Sequence, residues 1–366
     1  MKKLSLIAAL LCGAMQLAAA QYLVYAGTYT NAGSKGIYAW RFNSDNGKVT
    51  PIGVAAETAS PSFLVEDASR SHIYAVNENQ AGSVSAFSID RKSGKLTLLN
   101  TVSTKGAGPC HLALDRTGRW LAVANYDSGN FAVIPVQKDG RLGEASAFVQ
   151  HKGSSVNKER QAGPHAHCAL FSPENKYLLI ADLGLDKIMI YKFDAGKGSV
   201  EAADPAFATV KPGSGVRHLI FNAKGNVLYA LTEMGSTVTA FHYPSFEEFQ
   251  TVSMLPDNYN GSSTGAELAI NPAGTFLYAS NRGADSIAEF AIDGSTFKLS
   301  PVDRFPTMGK TPRHFAIDPT GGYLFAANQN SNDIVVFKVH PRTGQLTPTG
   351  TVLKEAANPV CVLFVK

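Results

Sequence analysis

Residues 215–241 read GVRHLIFNAKGNVLYALTEMGSTVTAF. An apolar run, His218 to Phe221, meets a turn cluster at Asn222 to Gly225 and resumes as a second apolar run, Val227 to Leu231. Both runs have strand length and are rich in β-branched and aromatic residues, and the Asn/Gly cluster between them is hairpin chemistry. The second run ends at Thr232-Glu233, Gly235 breaks the chain, and a third strand starts at Thr237. Neighbouring antiparallel strands lie about 5 Å apart, so the start of the first strand stands beside the end of the second. Arg217 and His218 are therefore expected next to Thr232 and Glu233, although roughly 15 residues separate them.

The same corner recurs along the chain. It appears at Thr28-Tyr29, Asn77-Glu78, Asn125-Tyr126, Asp182-Leu183, Thr232-Glu233, Asn281-Arg282 and Asn328-Gln329, every 47 to 57 residues. Each follows a β-rich run (YLVYAG, HIYAVN, WLAVAN, YLLIAD, VLYALT, FLYASN, YLFAAN), and each leads into a third strand. Several then reach a Gly turn and a weaker outer strand. Four short strands per 40–50 residues is the signature of a propeller blade. The N-terminal YLVYAGTYT lacks a preceding partner and the C-terminal NPVCVLFV, Asn358 to Val365, lacks a following one. Pairing them completes a seventh blade and removes two open edges. The predicted fold is all-β: a seven-bladed β-propeller with four antiparallel strands per blade, closed by the C-terminal strand on the N-terminal strands.

The first 20 residues read differently. Lys2 and Lys3 precede an apolar run, Leu4 to Leu17, that ends in Ala18-Ala19-Ala20. This is the pattern of a secretory signal peptide, too short to span a membrane comfortably. Leu11 stands before Cys12, where a lipoprotein box needs a small residue. The expectation is a leader over 1–20 and a single propeller domain over 21–366, exported to the periplasm or secreted, with no membrane span and a monomer. A net charge of +4 and no Lys/Arg run with interleaved aromatics speak against nucleic-acid binding. Cys110, Cys168 and Cys361 are odd in number and match no metal spacing, and read as small buried hydrophobes.

Inner strands line the channel of a propeller, so their first residues converge. In register these read Phe63, His111, His167, His218, Glu267, His314 and Cys361, preceded by Arg217 and Arg313. The corners add Glu78, Tyr126, Glu233, Arg282 and Gln329. The long connections His151 to Gly163 and Leu255 to Gly265 emerge on the same face and either rim a pocket or are loop drift. Each residue type has a plainer reading. The histidines could cap the strand starts, and Arg217 and Arg282 could form structural ion pairs with Glu233 and Glu267. Arginines facing a channel also hold carboxylate or phosphate bidentately. A ring some 10 Å across is wider than one ion's shell, so neither a metal nor a cofactor is expected. No nucleophile elbow, phosphate loop or HExxH helix is present.

Three stretches carry a resemblance over essentially the whole mature chain: GPHAHCALFSPENKYLLIADLGLDKI, GVRHLIFNAKGNVLYALTEMGSTV, and LPDNY followed by ELAINPAGTFLYASNRGADSI. The sequence resembles the seven-bladed propeller lactonases, which include the propeller-type 6-phosphogluconolactonases and the carboxy-muconate cyclases. That resemblance implies active-site roles for His167, Arg217, Glu233 and Arg282, with Glu233 as general base and His167 as its substitute or as the acid to the leaving oxygen. It implies a small-molecule lactone as substrate, and the convergence of strand starts and corners at the channel mouth adds His218, His314, Arg313, Glu267 and Gln329 as expected substrate contacts. The chain departs from the family in its export leader and in Gly265-Ala266, where no aromatic stands before Glu267. Alternatives are an exported binding propeller for a small anion or protein partner, and a muconate-type cycloisomerase.

Overall fold

The computed structural model describes residues 21–31 and 33–366. The expected leader, 1–20, lies outside the described residues. Among the described residues the regular elements are 28 strands and no helix, grouped into seven four-stranded antiparallel sheets. In chain order, blades one to six span 64–103, 109–150, 166–209, 216–253, 264–306 and 312–353. Blade seven joins the C-terminal strand Pro359–Val365 to the three N-terminal strands within 21–57, in the spatial order C-terminal strand first. Tyr25 faces Leu363 and Ala26 faces Val362 in that pairing. The ring thus closes as the unpartnered terminal segments require.

The hairpin turns use the expected chemistry. In blade four the Asn222 side-chain carbonyl accepts the Asn226 and Val227 amides at 3.0 and 3.1 Å, and Gly225 takes the left-handed φ of 70°. Asp318 plays the Asn222 part in blade six, accepting from Thr320 and Tyr323. These side chains satisfy turn amides that a bare loop would leave to water.

Seven hydrophobic clusters hold the ring, one at each junction between neighbouring blades. At the closure Phe42, Phe325 and Phe364 meet edge to face with centroids 5.0 to 5.8 Å apart. Each such buried side chain contributes about 1.5–3 kcal/mol of burial. No blade can bury both faces alone, so the seven sheets and the convergence of their inner ends stand or fall together.

Candidate active site

The inner strands start beside the ends of their second strands, and in every blade but the first a bulge sits at that point. In blades two, three, four and six the pairing skips one residue: Cys110, His167, Arg217 and Arg313. A bulged residue is free of the ladder and its side chain is re-aimed. The next residue resumes the ladder and points into the channel. Two rings result, one residue apart in sequence and different in depth.

The deeper ring plugs the channel. His111, Cys168, His218 and His314 oppose equivalent positions in their second strands, and Phe63, Glu267 and Cys361 complete the circle. The rings touch: Phe63 lies 4.1 Å from His111 and 5.7 Å from His314, and His111 lies 5.1 Å from His218. One sequence assignment is corrected here. His167 was aligned with His111 and His218, but Cys168 holds that position and His167 is the bulged residue above it.

Hydrogen bonds fix the plug's tautomers. His218 Nε2 accepts from Arg217 Nη1 at 3.2 Å, so its Nδ1 donates to Glu267 Oε1 at 3.2 Å. His314 Nδ1 accepts the Val362 amide at 3.2 Å, which leaves the proton on Nε2, 3.1 Å from Glu267 Oε2. Burial, with Arg217 and Arg313 nearby, holds His218 well below the usual imidazole range. Burial lowers His314 to about 4 despite Glu267. The plug is a neutral imidazole array around one carboxyl.

Above the plug is a cavity of about 350 Å³ lined by Tyr29, Glu78, Cys110, Tyr126, Asp127, Arg160, His167, Glu233, Arg282 and Arg313. Glu233 dominates one wall. Its Oε2 accepts from Arg217 Nε at 3.0 Å and lies 2.9 Å from Arg282 Nη2, while Oε1 accepts from Arg160 Nη2 at 2.7 Å. Burial alone would raise its pKa, but Arg282, Arg217 and Arg160 outweigh it and hold the carboxyl at about 2. The backbone locks the two blades together here. Glu233 carbonyl accepts the Gly265 amide at 2.8 Å, and Gly265 carbonyl accepts Arg282 Nη2 at 3.0 Å. A Cβ on Gly265 would lie 2.6 Å from Thr232 carbonyl oxygen, so this close approach requires glycine.

The facing wall carries Arg313. It donates to the Tyr29 hydroxyl at 2.7 Å and lies over that ring at 5.3 Å, and no carboxylate comes within ion-pair distance of it among the described residues. Tyr29 donates onward to Glu78 Oε1 at 2.9 Å, and Ser62 donates to Oε2. His167 forms the floor, fully buried, with Nδ1 lacking a protein partner. Burial, then Arg217, keeps its imidazole well below the ordinary pKa. Burial pushes the Cys110 thiol well up, so it is no thiolate nucleophile.

The family described as a seven-bladed β-propeller lactonase matches residues 23–364. The chain belongs to this lactonase family. A 6-phosphogluconolactonase of Bacillus subtilis is 36% identical over 300 residues, covering 81% of this chain and 84% of the relative. A 6-phosphogluconolactonase of Formosa agariphila is 35% identical over 306 residues, covering 80% and 85%. Among solved structures, a periplasmic gluconolactonase of Pseudomonas aeruginosa superposes with a TM-score of 0.91 at 34% identity, covering 95% of this chain and 99% of that one.

In this lactonase propeller the residues singled out from sequence separate by depth. Glu233, Arg282, His167 and Arg313 meet at the cavity, with Arg217 directly behind Glu233. His218, His314 and Glu267 lie below in the plug, and Gln329 is absent from the cavity wall. The three cysteines are buried and free. Among the described residues no group of three or more His, Cys, Asp or Glu side chains is arranged to hold a metal ion, and no helix is long and apolar enough to cross a membrane.

Sequence reasoning missed Arg160, which arrives on the long connection between blades two and three. That loop is pinned by buried contacts: His151 Nδ1 to Asp182 at 2.6 Å, Ser155 donating to Asp186 at 2.5 Å, and Gln161 donating to Leu183 carbonyl at 2.8 Å. The loop's excess length and its Lys-Glu-Arg run were the available signal. Tyr29 was visible only as a corner residue.

Proposed function

We propose that this protein is an exported hydrolase that opens a sugar lactone to its hydroxy acid. The observation that carries this reading is an ionised, buried carboxylate ringed by guanidinium groups at the mouth of a sugar-sized cavity, in a chain of lactonase family. A water held by Glu233 attacks the lactone carbonyl carbon, and the carboxylate takes the water's proton. The carbonyl oxygen becomes an oxyanion facing Arg282, whose charge is already fixed in place. The tetrahedral intermediate collapses, the ring C–O bond breaks, and the proton returns from Glu233 to the departing ring oxygen. Water is consumed, one hydroxy acid forms, and no redox partner is needed.

The neutral state of His167 argues against its acting as a protonated acid near neutral pH. Its unpartnered Nδ1 suits a hydrogen bond to a substrate hydroxyl. Arg217, buried and bonded to Glu233, His218 and the Ala266 carbonyl, orients the carboxylate. Export rests on the leader pattern at 1–20, and the periplasmic relative is consistent with it.

The test is acid release in a pH-stat by the purified mature chain against a panel of sugar lactones. Opening well above the spontaneous rate supports the reading, and a panel opened no faster than in buffer removes it. Fractionation of cells expressing the full chain tests the location: recovery with the cytoplasmic fraction would overturn export.

A further inference from the structure

Glu233 as described is a poor base, because three guanidinium groups hold it ionised at a pKa near 2. The three are not alike. The Arg217 side chain is 3% exposed and Arg282 is 15%, and both extend from strands. Arg160 is 40% exposed and extends from a loop. Arg217 and Arg282 both address Oε2, and Arg160 addresses Oε1. Withdrawing Arg160 alone would strip one carboxylate oxygen of its ion pair and leave the other anchored.

The Arg160 backbone cannot be what moves. Asn157 Oδ1 accepts the amides of Glu159 and Arg160 at 3.1 and 3.0 Å, Gln161 amide donates to Asn157 carbonyl at 2.8 Å, and the Gln161 side chain is fully buried. Only the side chain is free, tethered by Nη2 to Glu233 and by the same nitrogen to the Tyr126 hydroxyl at 3.1 Å. A neutral sugar offers hydroxyls, which do not compete with a carboxylate for a guanidinium. An anionic group does compete, through bidentate charge-assisted hydrogen bonds. Arg313, across the cavity and without an ion pair, adds positive charge for that anion.

We propose that Arg160 is a specificity-determining residue: it caps Glu233 Oε1 in the free enzyme and leaves it for an anionic substituent of the lactone, phosphate or carboxylate, which frees that oxygen to take the proton from water. The substrate's charge thereby switches on the base. This rests on the lactonase reading and assigns the site a substrate class. The groups facing Glu233 are Arg217 and His218 from blade four, Arg282 from blade five, Arg313 from blade six, His167 from blade three, Tyr126 from blade two, and Arg160. Of these only Tyr126 and Arg160 lie outside the strands, and Arg160 alone is a cation on a loop.

The test compares 6-phosphogluconolactone with unphosphorylated gluconolactone on wild type, Arg160→Gln and Arg160→Lys, across pH. The wild type is expected to favour the phosphorylated lactone in kcat/KM, with the acid limb of kcat lying above that of kcat/KM for that substrate alone. Arg160→Gln should lose about 10- to 100-fold on the phosphorylated lactone, the worth of one to two charge-assisted bonds. On the neutral lactone it should gain, because Oε1 is uncapped, and its two acid limbs should coincide. Arg160→Lys should restore part of the preference. A gluconate carboxylate derivative of the lactone, oxidised at the distal carbon, replaces the phosphate to separate phosphate from general anion recognition, and preference for either anion supports the proposal. Equal loss on charged and neutral lactones by Arg160→Gln, or a wild type indifferent to charge, overturns it while leaving the lactonase reading intact. A wild type that opens neither lactone removes that reading, and the proposal with it.

Discussion

Replacing Glu233 by Gln should cost stability in a way that depends on pH. The folded-state pKa near 2 lies about 2.5 units below the ordinary 4.5, and at about 1.36 kcal/mol per unit this corresponds to about 3 kcal/mol. The sign follows from linkage. The folded pKa is depressed, so the contribution is fully present above pH 4.5 and is lost as pH falls toward 2. Glutamine keeps the shape but leaves Arg217 and Arg282 buried without a counter-charge, a change that costs several kcal/mol in such pairs. For a fold of about 350 residues, with an unfolding entropy of about 2.1 cal/mol/K per residue, 3 kcal/mol lowers Tm by about 4 °C. The assay is thermal unfolding of wild type and Glu233→Gln by circular dichroism from pH 2.5 to 7.5. The Tm difference should be largest at pH 6–7 and should close toward pH 2.5. A difference that is the same at pH 3 and pH 7, or absent at pH 7, would refute the ion-pair account of this carboxylate.

Other outcomes follow from single contacts. Glu289 is buried between blades five and six with both carboxylate oxygens unpartnered, and burial, then Asp303, raises its pKa to about 7; its folded pKa is elevated, so stability falls as pH rises from about 4.5 to 7, and Glu289→Gln should gain up to about 3 kcal/mol at pH 8 but little at pH 4.5, read by denaturant melts. Gly265→Ala would place a methyl 2.6 Å from Thr232 carbonyl oxygen and force blade five from blade four at the point where Gly265 bonds Glu233 and Arg282; a loss of about 1–3 kcal/mol and a fall in kcat larger than the change in KM are expected. Removing 359–366 deletes the inner strand of blade seven and opens the ring; the truncated chain should lose its cooperative thermal transition, and retention of a wild-type melt would contradict closure by that strand.

The architecture was legible because a propeller repeats its local instructions. Asp/Asn/Pro/Gly turns, β-rich runs and corner residues recur at a near-constant interval, and the unpaired terminal segments state how the ring closes. The site was legible in part for the same reason. Glu233 and Arg282 are corners of adjacent blades, and Arg217 starts the strand beside Glu233, so topology alone brings them together. Depth was not legible. A one-residue bulge moves a side chain from the plug to the cavity, and nothing in HAHC against VRHL says which residue is skipped. That is why His167 was placed level with His218, and why the position of His218, His314 and Glu267 below the cavity was not legible. Arg160 escaped because it belongs to no repeat. Its position depends on tertiary contacts made by His151, Ser155 and Gln161, which leave no periodic trace.

The most direct test of the site is the initial rate of sugar-lactone opening by Glu233→Gln, measured at pH 7 below the Tm of the variant, with its fold checked by circular dichroism. Loss of a positioned base predicts a fall of about 10²- to 10⁴-fold in kcat. A folded Glu233→Gln protein that opens the lactone as fast as wild type would contradict the account.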